Sequence, residues 1–229
     1  MITLTMRDVR PATPRARIVR LDLAAPFSYR PGQAVLLGSH GGGVRRPYSL
    51  AAAPDESRRE GCLELLIGVD SNGSAGAHLA LEAGARVDVE GPIGSFVFPA
   101  APPERRFLFI GGGTGIAPLR AMLHYALTRP HDGIGVFYSA RTPDQFAYEQ
   151  EFRALARAGR IELRQTITRT AGEEWQGRRG RIDRGELGGL IHVPETLCFV
   201  CGPPSLVDEM PRLLAGLGVD RRRVRMEEW

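Results

Sequence analysis

At 229 residues the chain has room for one or two domains and not for three. An apolar fraction of 43% with 24% charged residues excludes a disordered chain, and no apolar run approaches the roughly 18 residues of a membrane-spanning helix. The formal charge of +4 rests on basic residues that are all Arg and scattered, which excludes the dense basic stripe of a nucleic-acid binder and suits a phosphate-bearing ligand or an acidic protein.

The chain start alternates apolar with polar residues and reads as a strand, not as a signal peptide. Alternation continues over 17–23, where Val19, Leu21 and Leu23 face one way. Short apolar or alternating runs follow at 33–38, 47–52 and 62–69, separated by turn clusters around Pro31, Gly41–Gly43 and Pro54–Ser57. A short helix is expected over 75–82, stopped by Gly84, and then a strand over 86–90. Strands at this spacing predict an antiparallel barrel or sandwich.

The Pro-rich joint around Pro102 and Pro103 marks a boundary, with residues 1–100 before it and 104–229 after it. Beyond it strands and helices alternate. Strands are expected over 107–110, 134–139, 161–168, 196–201 and 223–227, and helices over 117–127, 148–158, 183–190 and 206–217. Several of these strands are apolar on both faces, as in a parallel sheet covered by helices.

Four segments carry residue types suited to chemistry. Gly111–Pro118 lies directly between a strand and a helix. Its glycines allow close backbone approach to a phosphate, with a helix N-terminus behind them, although a plain tight turn has the same look. Arg46-Pro47-Tyr48-Ser49 opens a strand and combines an anion-pairing fork, an aromatic face and a hydroxyl. It fits a flavin site, or simply a strand with an exposed Arg and a half-buried Tyr. Cys201-Gly202-Pro203 ends a strand, at the edge where open parallel sheets bind ligands; a buried structural thiol is the plainer reading. Cys198 and Cys201 sit three apart on one strand, so their side chains point to opposite faces. With no second Cys or His pair to complete a site, no metal is expected. Three cysteines in all argue against a secreted disulfide scaffold and for a reducing, cytoplasmic compartment. The fourth segment is the chain end, Met226–Trp229, where an aromatic follows a strand.

In this order and spacing, the segments resemble the ferredoxin–NADP reductase superfamily over essentially the whole chain. The resemblance implies two domains: an N-terminal antiparallel Greek-key β-barrel (1–100) holding FAD, and a C-terminal α/β parallel-sheet domain (104–229) holding NAD(P). Arg46, Pro47, Tyr48 and Ser49 match the flavin motif, with Ser49 near the reactive ring nitrogen. Gly73, Ser74, Ala75 and Gly76 fall on the flavin-phosphate segment. Gly112, Gly113, Thr114 and Gly115 fall on the nicotinamide pyrophosphate loop. Cys201, flanked by Gly202 and Pro203, falls beside the nicotinamide, and Glu227 on an acidic residue that orients or relays protons near Ser49. Trp229 falls over the flavin ring as a gate, so that its removal tightens nucleotide binding and slows turnover. The chain departs from the plant-type branch at Gly76, where that branch carries Ser or Thr. The stretch 70–74 is similar to the dioxygenase-reductase branch, which makes FMN the alternative flavin. Thr168 and Arg169 stand where NADP-preferring members place Ser-Arg, which favours NADPH, with NADH as the alternative. Three cysteines are too few for a four-thiolate iron–sulfur cluster, so the chain is expected to be the bare reductase module. The implied activity is a flavin-dependent oxidoreductase: a hydride from NAD(P)H to bound FAD, then electrons to a ferredoxin, flavodoxin or oxygenase component. The alternatives are a flavin reductase that releases reduced flavin, and a non-catalytic electron-transfer subunit.

Overall fold

The alternating segments near the chain start form long, twisted strands with one face in a shared core. The structure, a computed structural model, describes residues 1–169 and 175–228. The chain divides into two compact units, Met1–Phe98 with Arg120–Tyr125 and Pro99–Leu119 with Ala126–Trp229.

The first unit is built on six strands: β1 (Ile2–Thr13), β2 (Ala16–Asp22), β3 (Ala34–Ser39), β4 (Arg46–Ser49), β5 (Cys62–Gly68) and β6 (Arg86–Ile93). They lie in the order β4-β3-β6-β1-β2-β5, every pair antiparallel. The crossover that puts β6 between β3 and β1 is the Greek-key step. An antiparallel bridge between Leu50, just past β4, and Leu65 of β5 closes the sheet into a barrel. Alternate residues fill it: Met6, Val19, Leu21, Val35, Leu37, Leu63, Leu65, Ile67, Val87 and Val89 are all buried. Burying such aliphatic side chains stabilises the unit by about 1.5–3 kcal/mol each.

Strand β5 is buried on both faces, so Glu64 enters the protein interior. Its carboxylate accepts from Arg20 Nε at 2.8 Å and lies 3.6 Å from Arg120 Nη1, which also donates to the Ala51 carbonyl at 2.8 Å. A charge at this depth is tolerated only when paired in this way.

Two local expectations fail here. The cluster Pro54–Ser57 is not a turn; it starts a helix, α1 (Pro54–Glu60). Proline fits its first turn, Asp55 and Glu56 favour its N-terminus, Glu56 accepts from the Ala53 N–H at 2.7 Å, and Gly61 ends it in the left-handed region. Conversely, 75–82 is not helical. Gly73 and Gly76 both take positive φ, and the amide of Gly76 donates to Ser74 Oγ rather than into a helical turn.

The second unit carries β7 (Arg106–Gly112), α2 (Ile116–Ala126), β8 (Gly133–Ala140), α3 (Glu149–Arg157), β9 (Glu162–Ile167), β10 (Arg178–Arg179), α4 (Arg184–Gly188), β11 (Leu197–Gly202), α5 (Pro204–Val207), α6 (Met210–Ala215) and β12 (Val224–Glu228); the middle of α2 clusters with the first unit. Its six strands are all parallel, in the order β10-β9-β8-β7-β11-β12. Strands β7, β8 and β11 are buried almost throughout, which explains their unbroken apolar runs. The helix expected over 206–217 is split into α5 and α6, because Pro211 has no N–H to give to the Val207 carbonyl. The two-residue β10 was not anticipated. No helix among the described residues is long and apolar enough to cross a membrane.

Candidate functional site

In the first unit, antiparallel pairing on β3 places Arg46 opposite Leu37, Tyr48 opposite Val35 and Ser49 opposite Ala34. Arg46 and Pro47 are exposed; Tyr48 and Ser49 are half-buried. Tyr48 packs its ring on the barrel core and brings its hydroxyl within 2.8 Å of His78 Nε2. The two rings are parallel within 6°, with centroids 6.1 Å apart. Burial raises the Tyr48 phenol and lowers the His78 imidazole, and the nearby Arg46 guanidinium lowers both. At neutral pH both rings are therefore uncharged beside a fixed cation. The segment 70–76 is built as a turn in which Asp70 Oδ1 accepts from the amides of Asn72 (2.8 Å) and Ser74 (2.9 Å). Those two amides lower the Asp70 carboxyl. Gly73 follows with φ 81° and Gly76 with φ 103°; Ser74 and Gly76 are exposed, Ala75 half-buried. His78 joins Tyr48 to this segment, a link that no sequence signal announced: a lone His before an apolar residue reads as packing.

A flavin nucleotide presents an aromatic ring system and an anionic phosphate. The residues fit both. Tyr48 supplies an aromatic face and Arg46 a cation. His78 Nδ1 is buried with no hydrogen-bond partner among the described residues.

In the second unit the carboxyl edge of the sheet gathers the expected residues. Parallel register sets Cys201 of β11 beside Gly111 of β7 on one side and Glu227 of β12 on the other. After Gly112, residues 113–115 form one 3-10 turn into α2. A Cβ on Gly112 would lie 2.9 Å from both Pro203 Cδ and Leu206 Cδ2, and one on Gly115 would lie 2.4 Å from the Cys201 carbonyl oxygen. These glycines are therefore needed for the corner to pack against the segment 201–203. Gly113, at φ 57°, is held by Tyr138, whose hydroxyl donates to its carbonyl at 3.1 Å. Thr114 is half-buried. Cys201 is buried, and desolvation, with the Glu227 carboxyl nearby, pushes its thiol up, so it is neutral at pH 7. Burial also raises Glu227, which holds a proton more readily than an ordinary carboxyl. Cys198 lies on the opposite face of β11 in the apolar core, its thiol pushed up to about 12 by burial.

Thr168 and Arg169 extend from the carboxyl end of β9. Both are exposed, and their amides donate to Ala140 and Arg141 carbonyls at 2.9 Å. Of the arginines near them, Arg178 is committed to Asp183 and Glu186. Trp229 lies outside the described residues.

The sequence matches the family described as Oxidoreductase FAD-binding domain over residues 4–98 and the family described as Oxidoreductase NAD-binding domain over residues 109–211. It is 34% identical to ferredoxin–NADP reductase B of Sorangium cellulosum (strain So ce56) over 96% of this chain and 94% of that protein. It is 29% identical to the ferredoxin–NAD(P)(+) reductase CarAd of Metapseudomonas resinovorans, over 96% of this chain and 66% of the relative. The ferredoxin reductase in carbazole 1,9a-dioxygenase superimposes with a TM-score of 0.83 at 27% identity, over 99% of this chain and 68% of that one. A barrel followed by a parallel-sheet unit, two matched families in that order and a full-length relative above 30% identity lead to one assignment: the chain belongs to the ferredoxin–NADP reductase superfamily.

Proposed function

We propose that this chain is an NAD(P)H-dependent flavoprotein reductase that hands electrons to a ferredoxin, flavodoxin or oxygenase-type acceptor. Residues 1–100 serve as the FAD-binding barrel and 104–229 as the NAD(P)-binding domain. The observation that carries the reading is the alignment of Gly111, Cys201 and Glu227 on three neighbouring strands, next to a glycine corner that leaves no room for side chains. A bound flavin supplies the ability to accept two electrons together and release them singly.

The protein's own residues bind and orient. Arg46 pairs with a flavin phosphate, Tyr48 packs on the ring or its ribityl chain, and the Ser49 hydroxyl hydrogen-bonds at the ring edge. Gly112–Gly115 hold a dinucleotide pyrophosphate against the backbone at the sheet edge. Cys201, uncharged, gives the nicotinamide a soft surface beside Gly111, and Glu227 holds a proton within reach of that edge. Trp229 is proposed as the gate over the flavin. The exposed Arg169 supports NADPH over NADH, because a guanidinium pairs with a 2′-phosphate and gains nothing from a 2′-hydroxyl of NADH. Three cysteines, all buried and none in a disulfide, support a cytoplasmic location.

The test is an anaerobic titration of the purified protein with NADPH and with NADH while the flavin spectrum is recorded. Stoichiometric bound flavin that bleaches on nucleotide addition is expected. Colourless protein, or bound flavin that neither nucleotide bleaches, overturns the reading.

A further inference from the structure

His78 has two ring nitrogens, and only one has a partner. Nε2 lies 2.8 Å from the Tyr48 hydroxyl. Nδ1 is buried and has no partner among the described residues. The whole residue is 8% exposed. A buried ring nitrogen left without a partner is rare in folded proteins and calls for a reason. The surroundings supply one. A Cβ built on Gly76 would lie 3.4 Å from Nδ1, so this nitrogen faces the side of an exposed residue that carries no side chain. Cations flank the place. Arg46 bears electrostatically on both rings, and Arg17 Nη2 lies 3.2 Å from where a Cβ of Gly73 would be. The carboxylate of the segment, Asp70, is turned onto the amides of Asn72 and Ser74. The neighbourhood therefore favours an anion.

The Tyr48–His78 hydrogen bond has two directions, and one of them leaves a free donor at Nδ1. A phenol that donates to Nε2 leaves the proton of the neutral imidazole on Nδ1, where it needs an acceptor. We propose that His78 is a cofactor-positioning residue that ties the Tyr48 hydroxyl to a phosphoryl oxygen of the flavin nucleotide, donating through Nδ1 beside Gly76. The proposal rests on the flavoprotein reading above and deepens it. One ring sets the tilt of Tyr48 and the seat of the phosphate together.

The full-length protein, freed of flavin, is titrated with FAD and with riboflavin, which lacks the phosphate. His78→Phe keeps the ring and removes both nitrogens; His78→Asn restores a donor at the position of Nδ1. For His78→Phe the FAD dissociation constant is expected to rise about tenfold or more, with riboflavin changing less than about twofold. His78→Asn is expected to return to within about threefold of wild type for FAD. Equal losses for both flavins, or no loss, overturn the proposal and leave the flavoprotein reading standing. Failure of the wild-type protein to bind either flavin overturns both. Should His78→Phe fail to fold, 15N spectra of the wild-type imidazoles decide: a protonated Nδ1 of His78 that shifts with FAD and not with riboflavin is expected, and no FAD-dependent shift overturns it.

Discussion

Gly115 shows how little latitude single residues have at the sheet edge. Any side chain there meets the Cys201 carbonyl at 2.4 Å, and that carbonyl is backbone, which cannot swing aside. Gly115→Ala is expected to destabilise the protein by about 1–3 kcal/mol and to weaken NAD(P)H binding, read from urea midpoints and nucleotide titration. Cys201 is legible in the sequence by its place at a strand end, but its charge state is not. Because burial keeps the thiol neutral, Cys201→Ala is expected to slow flavin reduction without moving its pH profile between pH 6 and 9. A profile that shifts would contradict a neutral thiol. Arg169→Ala is expected to lower kcat/KM for NADPH roughly tenfold and to leave NADH nearly unchanged, as loss of one charge-assisted pair requires.

Among the elements, those that follow the periodicity of two or the unbroken apolar run were readable. Val19 and Leu21 mark β2, and Phe107–Ile110 mark β7. Over 75–82, local composition was outvoted by backbone conformation. The stretch from Ala75 to Glu82 is rich in helix formers, but the left-handed turn at Gly76 starts it in the wrong direction. Pro54–Ser57 holds turn-like residues whose order, proline then two acids, is also that of a helix start. Side-chain networks across elements left no trace in the sequence. One pins the loop after β3: Asp88 of β6 accepts from Thr3 Oγ1 at 2.8 Å and the Gly41 amide at 3.1 Å, and lies 2.9 Å from His40 Nδ1. These partners, His40 first, hold its carboxyl down to about 2. A carboxyl depressed on folding stabilises above its unfolded value, near 3.9, and loses that contribution as pH falls through about 2. Asp88→Asn is therefore expected to lose less stability than wild type between pH 4 and 2 in urea titrations. The network at Glu64 gives a second expectation. Arg120→Leu removes a donor from the Ala51 carbonyl and a nearby cation from the buried Glu64 carboxylate, and should cost about 2–4 kcal/mol, measured by thermal unfolding.

For the molecule as a whole, ordered motifs carried more than any element. Arg46–Ser49, Gly111–Gly115 and Cys201–Pro203 are each ambiguous alone, and their sequence along the chain pointed to the family. What escaped was anything that depends on distant segments meeting, such as the Tyr48–His78 pair, since spacing along the chain says nothing of contacts 30 residues apart. Net charge is a property at this scale. With +4 on the chain, the KM for an acidic acceptor protein is expected to rise with salt while maximal turnover holds. A KM indifferent to salt would point to an apolar docking face.

The barrel is closed at Leu50 and Leu65 by an isolated bridge and not by a full ladder. That makes it a seam. Apart from the bridge, the Ala51 N–H donating to the Glu64 carbonyl at 2.8 Å ties this closure, so amides around Ala51 are expected to trade protons for deuterium sooner than those inside the barrel's full ladders. The motif Arg46–Ser49 sits on the strand leading into this seam, so an occupant gripping that strand acts as a clasp. Binding of that occupant should slow deuterium uptake there more than in the unit's full ladders.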